Sequence, residues 1–206
     1  MIYVLDLDGT LIDSTARHGA LLKTILDKRG IEYPTDLEND YLRFKRNGQT
    51  TVHNLADRLE LDYSVSKAVA KEWVEHIEDW EWVSLDVLYE DSIPFLEKVS
   101  KTSIIFYLSS RKSHVCLLQE LEKLQITRFA EKVFCVSPKE GFQAKSAVLN
   151  QIKRVYQERI IVYGDSEIDY KASQSAGCES YLLNRGFRSF DYWNSIGIMS
   201  HYSLLE

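Results

Sequence analysis

Two aspartates one residue apart, Asp6 and Asp8, stand directly after the apolar run Ile2-Tyr3-Val4-Leu5, in the string Asp6-Leu7-Asp8-Gly9-Thr10-Leu11-Ile12-Asp13-Ser14. Carboxylates at this spacing can both turn toward one point once a strand breaks into a loop, and Gly9 permits the tight backbone departure that this demands. Such a pair has two productive uses: it holds a hard cation such as Mg²⁺, or it divides nucleophilic from acid–base duty. The competing reading, a turn carrying two solvated aspartates, fits a bare Asp-x-Asp better than it fits the whole string DLDGTL. Polar residues follow two later apolar runs in the same way. Ser109, Ser110 and Arg111 come after 103–108, and Gly164-Asp165-Ser166-Glu167-Ile168-Asp169 comes after 160–163.

The elements that must position these groups are legible as short apolar runs at 2–5, 103–108, 132–136, 160–163 and 180–183. Each is strand-length, rich in Val, Ile, Tyr or Phe, and lacks polar alternation, as expected of a strand buried on both faces. Helical patterns at 113–124, 143–156 and 168–176 separate the last four. The alternation predicts an α/β fold, a Rossmann-like parallel sheet with helices on both faces. Ligands bind such sheets at the carboxyl ends of the strands, which is where the polar residues stand. Between the first and second strands lies a stretch far longer than a normal crossover. Its apolar residues (Leu21, Leu22, Ile25 and Leu26, then Leu42, Phe44, Val52, Leu55 and Leu59, then Val65, Val69, Trp73 and Ile77) are spaced for helical faces. We expect a helical subdomain over 14–92, inserted in a core made of 1–13 and 93–206. The aromatic segment 187–206 shows no assignable pattern.

Composition narrows the classes. The chain has 206 residues, 45% apolar and 27% charged, with a formal charge of −6. That is the profile of a globular protein, and it disfavours nucleic-acid binding, which rests on a surplus of Lys and Arg. No segment approaches the roughly 20 apolar residues that span a bilayer. Cys116, Cys135 and Cys178 lack metal-ligand spacing and suit a reducing compartment, so a cytoplasmic protein without membrane contact is expected.

DLDGTLIDS resembles the first motif of the haloacid dehalogenase (HAD) superfamily, and three further motifs follow in its order. Ile104-Ile105-Phe106-Tyr107-Leu108-Ser109 resembles the second, Lys145 matches the helix-borne lysine of the third, and Gly164-Asp165-Ser166-Glu167-Ile168-Asp169 resembles the acidic fourth. The long insert is similar to the helical cap of the phosphoglycolate-phosphatase-like branch. The resemblance implies a Mg²⁺-dependent phosphatase that forms an aspartyl-phosphate at Asp6. It implies Asp8 as acid and base, Ser109 and Lys145 on the phosphoryl group, and Asp6, Asp8 (through its backbone carbonyl), Asp165 and Asp169 around the metal. Thr10, Ser110 and Arg111 join the substrate-binding candidates. Lys139, beside Pro138, is the alternative third-motif lysine. Some relatives carry two consecutive acids in the fourth motif; with Gly164 in the first place, Asp169 or water would replace one ligand.

The cap should choose among substrates. Arg43-Phe44-Lys45-Arg46-Asn47-Gly48-Gln49 is a basic patch in an acidic protein, so Lys45 and Arg46 are candidates for gripping a substrate's non-reacting end; the alternative is a solvated charged face. A closing cap favours a small phosphorylated metabolite as partner. Two other functions remain open: a phosphomutase of the same fold, and a phospho-aspartate signalling module. The second is opposed by an acceptor after the first strand instead of the third.

Overall fold

The computed structural model describes residues 1–37 and 45–205; Arg43 of the basic patch, and Leu42 and Phe44 of the helical pattern, lie outside the described residues. Numbered along the chain, the strands are β1 (Ile2–Leu5), β2 (Ile12–Asp13), β3 (Val87–Leu88), β4 (Ile104–Ser110), β5 (Lys132–Val136), β6 (Ile160–Gly164) and β7 (Glu179–Leu182). The described helices are α1 (Thr15–Lys28), α2 (Thr51–Leu59), α3 (Tyr63–His76), α4 (Trp80–Val83), α5 (Ser92–Val99), α6 (His114–Lys123), α7 (Gly141–Tyr156), α8 (Glu167–Ala176) and α9 (Phe190–Ser195).

Five strands form a parallel sheet in the order β5-β4-β1-β6-β7. The first strand is therefore central, and the chain winds outward from it in both directions. Its alternation divides the core into two layers. Ile2 and Val4 pack with Phe106, Leu108, Val162, and Leu149 and Ile152 of α7 and Ala172 of α8. Leu5 packs on the other face with Ile105, Tyr107, Phe95 and Leu96 of α5, and Leu117 and Leu121 of α6. With both faces covered, a continuous apolar run is the only pattern that fits, which is why the five runs are strands. β4 extends two residues past its apolar run because Ser109 and Ser110 still pair with Cys135 and Val136 of β5; backbone pairing does not require apolar side chains.

The helices between β2 and β3 have a core of their own, in which Leu21, Leu22, Ile25 and Leu26 meet Leu55, Val69 and Trp73. Both α1 and α2 pack on α3. The chain leaves the sheet through β2 and returns through β3, and these two strands pair antiparallel, zipping the crossings together. Two-residue strands carry no readable periodicity, and neither this pairing nor α5 was expected from sequence.

The unassigned C-terminal segment docks on the sheet's edge. Ser189 caps α9 by accepting from Tyr192 N at 3.2 Å, Trp193 is fully buried, and its Nε1–H donates to Leu183 O at 3.2 Å. His201 bridges Leu183 and stacks on Tyr181 at 4.0 Å. No described helix is long and apolar enough to cross a membrane.

Candidate active site

The carboxyl ends of β1, β4 and β6 converge beside one cleft of about 300 Å³, whose wall includes Asp6, Asp8, Ser109, Ser110, Lys145 and Asp165, together with Lys45 and Arg188. Asp6 N–H still bonds to Tyr163 O at 2.9 Å, which holds the residue at the sheet's edge. The chain then turns sharply, with Leu7 O accepting from the N–H groups of Thr10, Leu11 and Ile12. Gly9 sits in the turn at φ +74°, and a Cβ there would strike the Asp165 carboxylate. That close approach, added to the positive φ, restricts the position to glycine.

Lys145, on the second turn of α7 and 3% exposed, reaches Asp6 Oδ1 at 2.9 Å and Asp169 Oδ1 at 2.6 Å. Burial alone would depress its pKa, but the two carboxylates outweigh that and raise it, so the ammonium is held charged. Lys139 is exposed in the short turn before α7 and does not line this cleft. Asp169 is fully engaged: its other oxygen accepts from Ser166 Oγ at 2.6 Å and Ser166 N at 3.2 Å, at the start of α8. Gly164 makes room for it, since a Cβ there would collide with Asp169 Cβ and Cγ. Gly164→Ala is thus expected to lower stability by about 1–3 kcal/mol through overpacking and to displace Asp169. Thermal unfolding of the metal-free protein checks this, and an unchanged Tm would refute it.

The acids fit a divalent cation. Carboxylate oxygens of Asp6, Asp165 and Asp169 lie within 4.8 Å of one another. Asp165 Oδ2 accepts from Phe187 N, while its Oδ1 is buried without a hydrogen-bond partner. Burial, with Asp169 and Asp6 adding repulsion, pushes Asp165 well above the usual carboxylate range. Burial likewise raises Asp6 to about 7, against the pull of Lys145. Three crowded carboxylates with one ammonium lack positive charge, and a hard cation supplies it. The Asp8 side chain is outside this cluster. Its Oδ1 meets Arg17 Nη2 at 2.8 Å and Arg111 Nη2 at 2.7 Å. Burial would raise its pKa, but the two guanidiniums outweigh burial and lower it.

The remaining candidates separate. Lys45 lies over the rings of Trp73 (4.5 Å) and Phe187 (4.8 Å) and lines the cleft. Arg46 does not: its Nε and Nη2 donate to the carbonyls of Gly186 (2.9 Å) and Arg185 (2.8 Å), tying the helical unit to the loop after β7. Thr10 is wholly buried, its hydroxyl without a partner and its carbonyl taken by Arg185 Nη2 at 2.6 Å. Arg111 is buried behind Asp8, its Nη2 donating to Asp8 Oδ1 at 2.7 Å and Glu120 Oε2 at 2.9 Å. Of the substrate-binding candidates, Ser110 and Lys45 line the cleft, and Thr10, Arg46 and Arg111 do not. His18 is a buried packing residue, 5.1 Å from both Trp73 and Phe187. Sequence reasoning missed Arg188, whose Nη1 donates to Lys45 O at 2.8 Å and whose Nε pairs with Glu167 at 2.7 Å. It also missed Gly186, which packs against Gly9 and Asp165. Arg188 lies in the segment without periodicity, and Gly186 stands just before it.

An α/β sheet whose central strand ends in an acid pair, flanked by a helix-borne lysine and a second acidic loop, defines the class. The family model of the haloacid dehalogenase-like hydrolases matches residues 3–183, and the chain belongs to that family. Phosphoglycolate phosphatase of Aliivibrio fischeri is 24% identical over 191 residues, covering 88% of this chain and 83% of that protein. A haloacid dehalogenase-like family hydrolase from Streptococcus pneumoniae superposes with a TM-score of 0.72 at 18% identity, over 97% of this chain and 91% of that one. A second hydrolase from the same species gives 0.64 at 23% identity, over 95% and 96%. The chain is a hydrolase of this family, phosphoglycolate-phosphatase-like in sequence.

Proposed function

We propose that the protein is a Mg²⁺-dependent phosphatase that hydrolyses a small phosphomonoester through an aspartyl-phosphate at Asp6. The observation that carries this reading is the placement of Asp6, Lys145 and the orphaned oxygen of Asp165 around one cleft. Asp6 would attack phosphorus, and the bond to the leaving oxygen would break as Asp8 protonates it. Asp8 would then take a proton from water, which attacks the same phosphorus and releases phosphate and Asp6. Lys145 would offset phosphoryl charge, and Ser109, with Ser110 beside it, would donate hydrogen bonds to phosphoryl oxygens. A cation held by Asp6, Asp165 and the Asp8 backbone carbonyl, with Asp169 behind them, would neutralise charge between phosphate and carboxylate. The helical unit, residues 14–92, would act as a cap that excludes water. Three free, half-buried cysteines accord with the cytoplasm.

Phosphate release from a panel of phosphorylated metabolites, phosphoglycolate among them, tests the reading. Turnover is expected with Mg²⁺ and loss of it with a chelator. Isomerisation without phosphate release would replace the reading with the phosphomutase.

Lys45 should recognise a second anionic group on the substrate. Lys45→Ala is expected to lower kcat/KM for the natural substrate about tenfold or more while sparing a small aryl phosphate, because remote binding energy assists only when a remote group is gripped. Burial, ahead of Arg188 and Arg17, lowers Lys45 to about 7. Its charge is present below that pH and lost above it, so wild-type preference for the anionic substrate should fall as pH rises through 7. The kcat/KM ratio of the two substrates against pH checks both points; a ratio that is the same in variant and wild type would reduce Lys45 to packing.

A further inference from the structure

Behind Asp8 lies a closed ring of buried ionisable side chains that the chemistry above does not use. Arg17 Nη2 and Arg111 Nη2 both contact Asp8 Oδ1. Arg17 continues to Asp86 Oδ2 at 3.3 Å, and Arg111 to Glu120 Oε2 at 2.9 Å. Carboxylate oxygens of Asp86, Glu120 and Asp8 lie within 4.8 Å of one another, closing the ring. Asp86 and Glu120 are wholly buried, Arg17 is 1% exposed and Arg111 5%.

Packing does not account for this arrangement. Apolar side chains of similar volume usually hold a fold at least as well as buried ions do. The ring's members also come from five places: the loop after β1, the first turn of α1, the segment between α4 and β3, the residue just after β4, and α6. The two arginines converge on one carboxylate, and that carboxylate lines the cleft.

We propose that Arg17 and Arg111 are positioning residues for Asp8, with Asp86 and Glu120 holding them, an inference that rests on the acid–base role proposed for Asp8. Two guanidiniums gripping the single oxygen Oδ1 fix the carboxylate's rotation and leave Oδ2 to exchange protons in the cleft. Arginine suits this anchor because it keeps its protons in proteins. A proton taken up by Asp8 is therefore delivered to the leaving oxygen and is not shared with the anchor. Lysine, a single point charge on a flexible stem, fixes orientation less well. Arg17 and Asp86 come from the two crossings into the helical unit, so Asp8 is oriented only where both crossings are in place.

The test uses paired variants: Arg17→Gln with Asp86→Asn, which removes both ends of that contact, and Arg111→Gln with Glu120→Gln, which removes one positive and one negative charge. Both are expected to keep KM within about threefold while kcat falls roughly 10–100-fold, at most the low end of what a general acid–base group contributes, because Asp8 itself is still present. Combined with Asp8→Asn, neither pair should lower kcat further, because groups acting through one residue are non-additive. Arg17→Lys and Arg111→Lys, which retain charge without the fork, should lower kcat in a protein of near wild-type Tm, and they decide the matter if a pair fails to fold. Unchanged kcat in the folded pairs or the lysine variants would overturn the proposal, as would losses that multiply with that of Asp8→Asn. Wild-type turnover by Asp8→Asn alone would overturn the acid–base reading and this inference with it; full loss in Asp8→Asn with no response in the ring overturns this inference alone.

Discussion

Asp6→Asn is expected to abolish turnover and leave the fold intact. An amide is a poor nucleophile toward phosphorus and a weak partner for a hard cation, so both duties proposed for Asp6 end together. The shape is conserved, and the loss of charge suits the metal-free site. Burial raises the folded-state pKa of Asp6 from 3.8 to about 7. A carboxyl with a raised folded-state pKa binds its proton more tightly in the folded protein, so its ionisation between about pH 4 and 7 works against folding. Without metal, the asparagine variant should therefore be at least as stable as wild type at pH 8, and its advantage should vanish near pH 4. With Mg²⁺ the order should invert, because only the wild type gains binding energy in full. Steady-state phosphate release and thermal unfolding, each with and without Mg²⁺, test this. More than a few per cent of wild-type activity in a deamidation-free preparation would remove Asp6 from the nucleophile's place.

The parts of this site visible in the sequence share one property: each is set by neighbours along the chain. β1 and β5 coincide with their apolar runs because both faces are buried, and the acids follow because a strand's end is where side chains escape the sheet. Lys145, matched to the third motif, stands on α7, whose apolar periodicity is readable locally, and that helix carries it to Asp6. What was not visible is set by contacts between distant segments. Arg17, Asp86 and Glu120 are buried together, and nothing in their local sequence shows it. Arg46 belongs to a basic patch in an acidic chain, yet its guanidinium serves two backbone carbonyls in a loop some 140 residues away. Gly164 looked like a missing acid. In the structure it is the space that Asp169 occupies. Charge and type were readable, then, but direction was not, and direction separates Lys45 from Arg46.

Asp8→Asn tests the other half of the chemistry, and its effect should depend on the leaving group. Arg111 and Arg17 lower the Asp8 pKa against the opposing effect of burial, so the free enzyme holds it ionised at neutral pH. That state suits the second step, in which a base takes a proton from water. The first step needs a proton on the leaving oxygen, which Asp8 would take up as the bound phosphoryl group brings negative charge beside it, and an alkyl phosphate demands it far more than an aryl phosphate does. For the natural substrate, kcat is expected to fall about 10²–10⁴-fold, the usual contribution of a general acid–base group. For an aryl phosphate with an acidic phenol, attack by Asp6 should proceed while hydrolysis of the phosphoenzyme stalls. The expected signature is a burst of phenol close to one equivalent per site, then slow turnover, with phosphate retained on the protein. The amide keeps an oxygen for the two guanidiniums, but it leaves them without a full counter-charge. Some loss of stability is therefore expected, and activity should be measured well below the variant's Tm. Equal slowing of both substrates without a burst would mean that Asp8 serves binding or structure, and wild-type kcat would remove it from the reaction.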